Sequence, residues 1–380
     1  MAQCGGGRAV LRQRQSWRSV SKRGRVQGRA SGTEVVQPEA PGEVGFMAPE
    51  RETDGFGRER VRRRREGWSF WSWRGYRCHY CRAGDAGPPV VLIHGFGAHS
   101  WHWRYNLLPL AHSCRVFAPD LLGFGLSPKG LETYSAELWA EQISHFVEHV
   151  APGERAVLAG NSIGGVVALK VATDRPDLVK GLSLINPAGR FDTERQSAYA
   201  SISLKSTKYE PTLDELEFLP VEAQAATPMP LRVVRNDIEY IKEKLSRFAA
   251  IATFYSLRFR IRRILQSIYG DPSRVDDDLV QSLEEPANDE NAMEVFYRVA
   301  KSGPKSGESA GEMLRRLRVP LQLLWGMVDP WIQVGKAETI QAIYPDAQFV
   351  AFDNGGHCPH DDSPEDFNEA LGRFTDSLEG

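Results

Sequence analysis

The sequence lacks any run of about 18 consecutive apolar residues, which a membrane-spanning helix needs, so no transmembrane helix is predicted. Cysteine is scarce as well. Five cysteines are an odd number in a chain of 380 residues, which argues against a disulfide framework. Cys78 and Cys81 form a Cys-X-X-Cys motif in a strand-like pattern, where residues three apart point to opposite faces. No second Cys or His pair completes a zinc site, so we predict no metal and no cofactor.

Acidic residues are missing from the start of the chain, where none precedes Glu34 and arginine and serine are frequent. This composition is typical of an organellar transit peptide. A secretory signal would need an apolar core of about seven residues or more, and none is present. A disordered basic tail is the open alternative. The composition of residues 32–57 predicts a linker. The basic cluster at residues 60–65 has three open interpretations: the end of the presequence, a patch beside a membrane, or a solvated tail.

Charge is distributed unevenly, although the net charge is only −2. Residues 1–65 contain 15 Lys and Arg against 7 Asp and Glu, which leaves 32 against 42 for residues 66–380. The part of the chain that is expected to fold is therefore acidic. Nucleic acid attracts basic surfaces, so no nucleic acid partner is predicted.

The chain is organised around a Gly-X-Ser-X-Gly motif at residues 160–164. An apolar run precedes the motif and a helical pattern follows it, which predicts a strand, a tight turn and a helix. Such a turn exposes the serine hydroxyl, and Gly160 and Gly164 give the helix room to fold back. Ser162 is therefore the predicted nucleophile, and the N–H of Ile163 at the helix N-terminus is a predicted oxyanion donor. The alternative is a chance match in a loop.

A second turn, at residues 94–97, is predicted to complete the oxyanion site. It follows a buried strand at residues 90–93 and carries a glycine on each side of Phe96. The second oxyanion donor of such sheets comes from this position, so the backbone N–H of Phe96 is the candidate. His94 is interpreted as a hydrogen-bonding residue of the turn rather than as a base.

The order of elements predicts an α/β fold. An alternating pattern at residues 68–83 indicates an antiparallel hairpin at its start. Strands then alternate with helices, which predicts a mostly parallel sheet with helices on both faces.

A helical insertion interrupts this alternation. From residue 190 to about residue 312 no buried strand is recognisable, and helical patterns occur at residues 237–248, 254–268 and 276–283. An insertion over the strand ends is a cap. Its apolar residues are interpreted mainly as the cap's own core, with some lining a substrate pocket: Phe248, Phe254, Tyr255, Phe259 and Ile264. The predicted domains are the transit peptide and linker at 1–65, the core at 66–189 and 313–380, and the cap at 190–312.

Two further residues are predicted on the same rim as Ser162. Asp329 and His357 each follow a predicted strand, and the chain order Ser, Asp, His is that of the α/β-hydrolase arrangement. We predict that Ser162 attacks, His357 transfers the proton and Asp329 orients the imidazole. Asp120 is the competing acid, but it precedes the serine and suits a turn-bracing role. His360 is interpreted as a loop residue.

Several motifs also carry a family resemblance: LIHGFG at 92–97, HWRYN at 102–106, DLLGFG at 120–125, GNSIGG at 160–165, WG with DPW at 325–331, and GHCPH at 356–360. Over roughly residues 68–378 the chain resembles capped α/β-hydrolases of plant, algal and cyanobacterial lineages. It looks most like the chloroplast group that includes pheophytinase and chlorophyll dephytylase, which cleave the phytyl ester of chlorophyll pigments without a metal. The resemblance implies an eight-stranded sheet with one antiparallel strand, a helical cap after the sixth strand, and Trp331 as a substrate-binding residue. Dehalogenases and epoxide hydrolases carry an aspartate where Ser162 stands, so their chemistry is disfavoured.

Two classes of function stay open. One is a serine hydrolase of the chloroplast, in the stroma or at the thylakoid periphery. Its predicted substrate is the phytyl ester of a chlorophyll pigment, and its alternative substrate is another acyl ester, as for a plastid lipase or esterase. The other class is a ligand receptor that retains the triad but relies on binding and cap movement. The predicted partner is a small apolar ester, with peripheral thylakoid contact and the oligomeric state left open.

The first prediction concerns targeting. Residues 1–65 fused to a fluorescent protein should direct it to plastids in a plant or algal cell, because the acid-free, arginine-rich start has transit-peptide character. Confocal microscopy against chlorophyll fluorescence is the measurement. A cytosolic or secreted fusion would contradict the prediction.

Overall fold

Buried apolar runs bounded by glycine and proline form the strands of the computed structural model, which describes residues 49–191, 229–302 and 308–379. In chain order the strands are β1 Arg51–Thr53, β2 Glu59–Val61, β3 Ser69–Trp73, β4 Tyr76–Ala83, β5 Pro89–Ile93, β6 Arg115–Pro119, β7 Ala156–Asn161, β8 Val179–Ile185, β9 Leu321–Gly326 and β10 Gln348–Phe352. Strands β3 to β10 form one sheet in the order β10-β9-β8-β7-β5-β6-β4-β3. Only β4 runs antiparallel to its neighbours β3 and β6. The predicted hairpin at residues 68–83 is confirmed by the β3–β4 pair.

Helices cover both faces of this sheet. They are α1 Leu107–Leu110, α2 Ala136–Val150, α3 Ile163–Asp174, α4 Met229–Ile268, α5 Asp277–Glu284, α6 Ala292–Ser302, α7 Ala310–Arg316, α8 Gly335–Ile343, α9 Pro359–Asp362 and α10 Pro364–Ser377. Within β5, Val91 and Ile93 pack against α2 and α3, whereas Val90 and Leu92 belong to the core under α1 and α10. This alternation is the period of two that a strand imposes. The predicted fold class, a mostly parallel eight-stranded sheet with an inserted helical cap, is confirmed.

The cap follows β8, the sixth strand of the sheet, and differs from the prediction in its main helix. The two helices predicted at residues 237–248 and 254–268 are one continuous helix, α4. The residues between them include three alanines and neither glycine nor proline, so nothing ends the helix there. The bounds of the cap stay a prediction, since residues 192–228 and 303–307 lie outside the described ranges. Among the described residues, no helix is both long enough and apolar enough to cross a membrane.

Three of the apolar cap residues do not belong to a core. Phe248, Tyr255 and Phe259 are 70%, 52% and 90% exposed, so the prediction that they form the cap's own core is wrong. Their spacing of seven and four places them on one side of α4. Phe254 and Ile264 lie on the opposite side, which faces the sheet and is described below.

Residues 49–65 belong to the fold, contrary to the prediction that the chain is a presequence and linker up to residue 65. Strands β1 and β2 pair antiparallel, and Val61 at the end of β2 is fully buried. Arg60 is 6% exposed because its guanidinium pairs with Glu52 and with Asp276 and Asp278 of the cap. Part of the basic cluster therefore forms ion pairs with acidic residues that lie far away in the chain. The remainder of the predicted presequence, residues 1–48, lies outside the described ranges.

Buried polar groups join the core to the cap. Arg104 is fully buried and donates to Asp361 and to Asp276, each at 2.9 Å. The Tyr269 hydroxyl, just after α4, also donates to Asp361 at 2.9 Å, and His102 Nε2 lies 3.0 Å from that hydroxyl. Burial lowers the pKa of His102 to about 4, so its ring is neutral at pH 7.

The second prediction follows from this neutral histidine. The unfolded chain binds a proton at His102 near its ordinary pKa of 6.5, whereas the folded protein binds it only near pH 4. The contribution of His102 to folding stability is therefore fully present above about pH 6.5 and is lost as the pH falls towards 4. At pH 5 His102 should reduce the free energy of unfolding by about 2 kcal/mol relative to pH 7.

Urea unfolding at pH 7 and pH 5 measures this loss. His102→Gln removes the titrating ring and should show a smaller loss than the wild type. His112→Gln is the matched control, because His112 is exposed. An identical pH dependence in wild type and His102→Gln would rule out this role for His102.

Candidate active site

Ser162 lies at the turn between β7 and α3 in a strained backbone conformation. Its φ of 55° and ψ of −117° lie outside the regions that residues with a Cβ normally occupy. The turn is held by close backbone approach. A Cβ at Gly160 would lie 2.2 Å from the carbonyl oxygen of Gly164, and a Cβ at Gly164 would lie 2.3 Å from that of Ile93. Both glycines are therefore required where the sequence predicted them.

The two predicted oxyanion donors lie on either side of this serine. A Cβ built at Gly95 would be 3.3 Å from Ser162 Cβ, so the turn that carries Phe96 passes directly beside the serine. The Phe96 N–H makes no backbone hydrogen bond among the described residues. Ile163 is the first residue of α3, where an N–H has no acceptor within the helix. Both N–H groups can therefore bind a negatively charged oxygen.

Asp329 and His357 form a hydrogen-bonded pair. His357 Nδ1 donates to Asp329 Oδ2 at 2.7 Å, because the carboxylate can only accept. Asn186 Nδ2 donates to the same oxygen at 2.8 Å. The backbone N–H groups of Trp331 and Ile332 donate to Oδ1 at 2.8 and 3.0 Å. The carboxylate is thus fixed by four donors, and it fixes the tautomer that leaves His357 Nε2 as an acceptor.

Ser162 and His357 line the same cavity. In the part of the chain that the structure describes, no hydrogen bond joins the serine hydroxyl to the imidazole. Contacts of this kind are often long in unliganded enzymes and shorten when substrate binds. A proton acceptor that shares a cavity with a half-buried serine, with two N–H donors beside that serine, is the arrangement needed for nucleophilic acyl transfer.

The loop that carries His357 is tied to the cap. The His357 N–H donates to the carbonyl of Ile268, the last residue of α4, at 2.7 Å. Asp362 accepts from the N–H groups of Gly356 at 2.8 Å and Gly270 at 2.6 Å. A Cβ at Gly356 would lie 2.0 Å from Ile268 O, so the loop and the helix end touch through backbone. The position of the imidazole therefore depends on the position of the cap.

The other candidate residues have structural roles. Asp120 is fully buried and accepts from the N–H groups of Ser100 at 2.6 Å and Leu126 at 2.7 Å. Burial alone would raise the pKa of Asp120, but its interaction and hydrogen bond with His79 at 2.8 Å, helped by the nearby His99 and His94, hold this pKa below its ordinary value. His94 Nδ1 donates to its neighbour's carbonyl, and its Nε2 accepts from a backbone N–H at 3.0 Å. Both residues brace turns, as the sequence predicted.

His360 is also buried, and both of its ring nitrogens lack a partner among the described residues. Burial lowers its pKa well below the ordinary value, so the ring is neutral. It lies against Trp103 with ring centroids 4.1 Å apart. It is therefore packed inside the protein and is not the base, as predicted, but it belongs to α9 and not to a loop, so that part of the interpretation is wrong.

The cavity beside Ser162 has a volume of about 300 Å³ and mostly apolar walls. One side of α4 supplies a continuous stripe of lining residues at helical spacing: Phe254, Leu257, Ile261, Ile264, Leu265 and Ile268. At about 1.5 Å of rise per residue this stripe is roughly 21 Å long. Trp331, the predicted substrate-binding residue, also lines the cavity. Its ring lies 5.1 Å from that of His357.

Lys129 lines the cavity too, and no sequence pattern pointed to it, because it lies in an irregular loop after Pro128. Its Nζ donates to the carbonyl of Ser127 at 3.0 Å and pairs with Asp289 at 2.9 Å. The amine therefore ties the core to the cap at the edge of the cavity. The stripe of α4 was predicted only in part, because Phe254 and Ile264 are the two of its residues that were named as apolar cap residues.

Cys78 and Cys81 lie on opposite faces of the sheet, as their spacing on a strand predicted, because they belong to different hydrophobic clusters. Burial raises the pKa of Cys78 to about 12, so its thiol stays protonated. In the described ranges no three His, Cys, Asp or Glu side chains are grouped so that they could hold a metal ion.

Most of the chain matches a known protein family. The alpha/beta hydrolase family matches residues 90–370. Chloroplastic pheophytinase of Arabidopsis thaliana is 31% identical over 340 residues, which cover 80% of this chain and 65% of that protein's own length. An uncharacterized protein of Mycobacterium tuberculosis is 30% identical over 309 residues, which cover 80% of each chain.

Solved structures match the fold over most of its length. The epoxide hydrolase CorEH without ligand gives a TM-score of 0.60 at 20% identity and covers 82% of this chain and 98% of its own. A bacterial membrane phospholipase A gives 0.59 at 21% identity, with 82% and 86% covered. At these identities the likeness concerns the fold alone.

The third prediction separates the two candidate acids. Asp329→Asn should leave a folded protein whose turnover of an activated aryl ester falls on the order of 10⁴-fold, because the amide no longer selects the reactive imidazole tautomer. Asp120→Asn should instead lower the melting temperature, because Asp120 holds two turns. The measurements are steady-state kinetics and thermal unfolding of both variants. A folded, inactive Asp120→Asn beside a fully active Asp329→Asn would reverse the assignment.

Proposed function

The chain belongs to the alpha/beta hydrolase family, and from this premise we propose that it hydrolyses carboxylic esters through a covalent serine intermediate. The observation that carries the proposal is the hydrogen bond between His357 Nδ1 and Asp329 Oδ2, beside the strained turn at Ser162. The family match supports hydrolysis as the class of reaction.

In the proposed reaction the Ser162 hydroxyl attacks the ester carbonyl while His357 Nε2 accepts its proton. The carbonyl oxygen becomes negatively charged and accepts from the N–H groups of Phe96 and Ile163. His357 then donates the proton to the leaving alcohol oxygen as the C–O bond breaks, which leaves an acyl group on Ser162. Water then attacks the acyl carbonyl while His357 Nε2 accepts its proton, and the imidazolium returns this proton to Ser162 Oγ as the bond between Oγ and the acyl carbon breaks and the carboxylic acid leaves. Asp329 stabilises the imidazolium in both steps.

The proposed substrate is an ester with a long apolar chain, specifically the phytyl ester of a chlorophyll pigment. The apolar stripe along α4 supports a long chain, because its length of roughly 21 Å suits an extended prenyl group. Each buried methylene contributes about 0.8 kcal/mol, so a long chain is favoured over a short one by several kcal/mol. The resemblance to a protein named pheophytinase supports the pigment ester in particular.

The proposed location is the chloroplast, with peripheral contact to the thylakoid membrane. The arginine-rich start of the chain and the chloroplastic name of one relative support the organelle. The exposed aromatic side of α4, formed by Phe248, Tyr255 and Phe259, supports the membrane contact, since exposed aromatic groups partition into a lipid interface. Arg260 and Arg263 are exposed on the same helix and suit anionic lipids.

The fourth prediction concerns the substrate. The purified protein should release phytol from chlorophyll a or pheophytin a, detected by chromatography, and a galactolipid and a short aryl ester run beside them should react more slowly. Ser162→Ala should abolish release while leaving the melting temperature close to that of the wild type, because Ser162 is not in the core.

The outcomes assign different functions. If the protein releases fatty acid from the galactolipid and no phytol from either pigment, its substrate is a lipid ester and not a pigment ester, and its function is that of a lipase. Absence of turnover with every ester, together with tight binding of one of them, would favour a receptor.

A further inference from the structure

An exposed groove at the edge of the cap, called the outer groove below, lies next to the substrate cavity. It has a volume of about 600 Å³, and exposed polar residues such as Arg247 and Asn291 belong to its walls. Among the described residues, Phe254, Ala287 and Ala292 line both the outer groove and the substrate cavity. These three residues therefore form a partition between a mostly apolar cavity and a groove that is open to solvent.

Phe254 provides most of this partition. Its side chain is the only large one of the three, and the residue is 9% exposed. The centroid of its ring lies 5.5 Å from that of Phe296, which in turn lies 5.9 Å from that of Phe96 in the oxyanion turn. The two alanines contribute one methyl group each. Removal of the Phe254 ring therefore joins the cavity to the outer groove.

Phe254 also stands at one end of the apolar stripe of α4. The other end is Ile268, whose carbonyl accepts the N–H of His357 at 2.7 Å. The two ends of the stripe are separated by roughly 21 Å along the helix. An apolar chain that begins at the catalytic residues and follows the stripe away from His357 therefore reaches Phe254 last.

We propose that Phe254 sets the maximum length of the apolar chain that the substrate cavity accepts. This inference rests on the proposed ester hydrolysis and adds a specificity-determining residue to it. A chain gains affinity with each methylene that it buries along the stripe, by about fourfold per methylene. At Phe254 the gain stops, because a further methylene overlaps a packed ring. In Phe254→Ala the chain continues into the outer groove, where Leu131 and Met293 offer apolar contacts.

A series of n-alkyl esters of one fluorescent carboxylic acid, from butyl to eicosyl and all presented in the same detergent micelles, tests this role. Every ester releases the same acid, so chromatography gives kcat/KM across the series. The turning point is the chain length at which kcat/KM stops rising. Phe254→Ala should move it to longer chains and raise kcat/KM for the eicosyl ester about tenfold or more, since two further buried methylenes at about fourfold each already give this factor. Phe254→Trp should move it to shorter chains.

Two matched variants separate this role from general changes in the cap. Leu257 lines the substrate cavity and not the outer groove, so Leu257→Ala should lower kcat/KM for long esters without moving the turning point. Met293 lines the outer groove and not the cavity, so Met293→Ala should leave the profile of the wild type unchanged. Combined with Phe254→Ala, however, Met293→Ala should remove part of the gain for the longest esters. The Tm of each variant shows whether it is folded.

Binding of straight-chain alcohols, which are products of these esters, tests the same role without catalysis. Displacement of a fluorescent apolar dye gives their affinities for the wild type and for Phe254→Ala, and the same shift in chain length is expected. If no ester is hydrolysed but the alcohol affinities shift in this way, the proposed function is wrong and the role of Phe254 stands. An unchanged turning point in Phe254→Ala, a uniform change in kcat/KM at every chain length, or no binding of any alcohol would overturn the proposal.

Discussion

The backbone contact between α3 and the sheet is the constraint on which the site depends. Gly160 and Gly164 let the helix approach so closely that a Cβ at either position would overlap a carbonyl group. That approach holds Ser162 at a positive φ and exposes it at the carboxyl edge of the parallel strands. Gly95 lets the neighbouring turn pass beside the serine. The local strain is sustained because the surrounding strands are fully buried and cannot relax.

The cap and the catalytic rim form one connected unit. The end of α4 accepts the N–H of His357, and Asp362 binds the loops on both sides of that contact. Arg104 and Tyr269 extend the connection through buried hydrogen bonds to the same region. Movement of the cap therefore changes the position of the imidazole. A ligand that moves α4 can in this way affect the proton acceptor without touching it.

The parts of the fold that could be predicted from sequence are those with local signals. The strand, turn and helix around Ser162 are determined by adjacent apolar and glycine residues. Asp329 and His357 were found because each lies on the loop just beyond a strand end, three residues after β9 and five after β10. The contacts of Arg60 could not be predicted, because one of its partners, Asp276, lies 216 positions later in the chain. The break predicted within α4 was wrong because a change in amphipathic pattern does not end a helix when alanines continue it.

Ser162 is the proposed nucleophile, and incubation of the purified protein with a fluorophosphonate probe, followed by peptide mass spectrometry, tests this role. We expect a phosphonyl adduct on Ser162 and on no other serine. In the described ranges this turn alone combines a strained serine with an adjacent proton acceptor and two free N–H donors. Labelling that persists unchanged in Ser162→Ala, or that maps to a different serine, would contradict it.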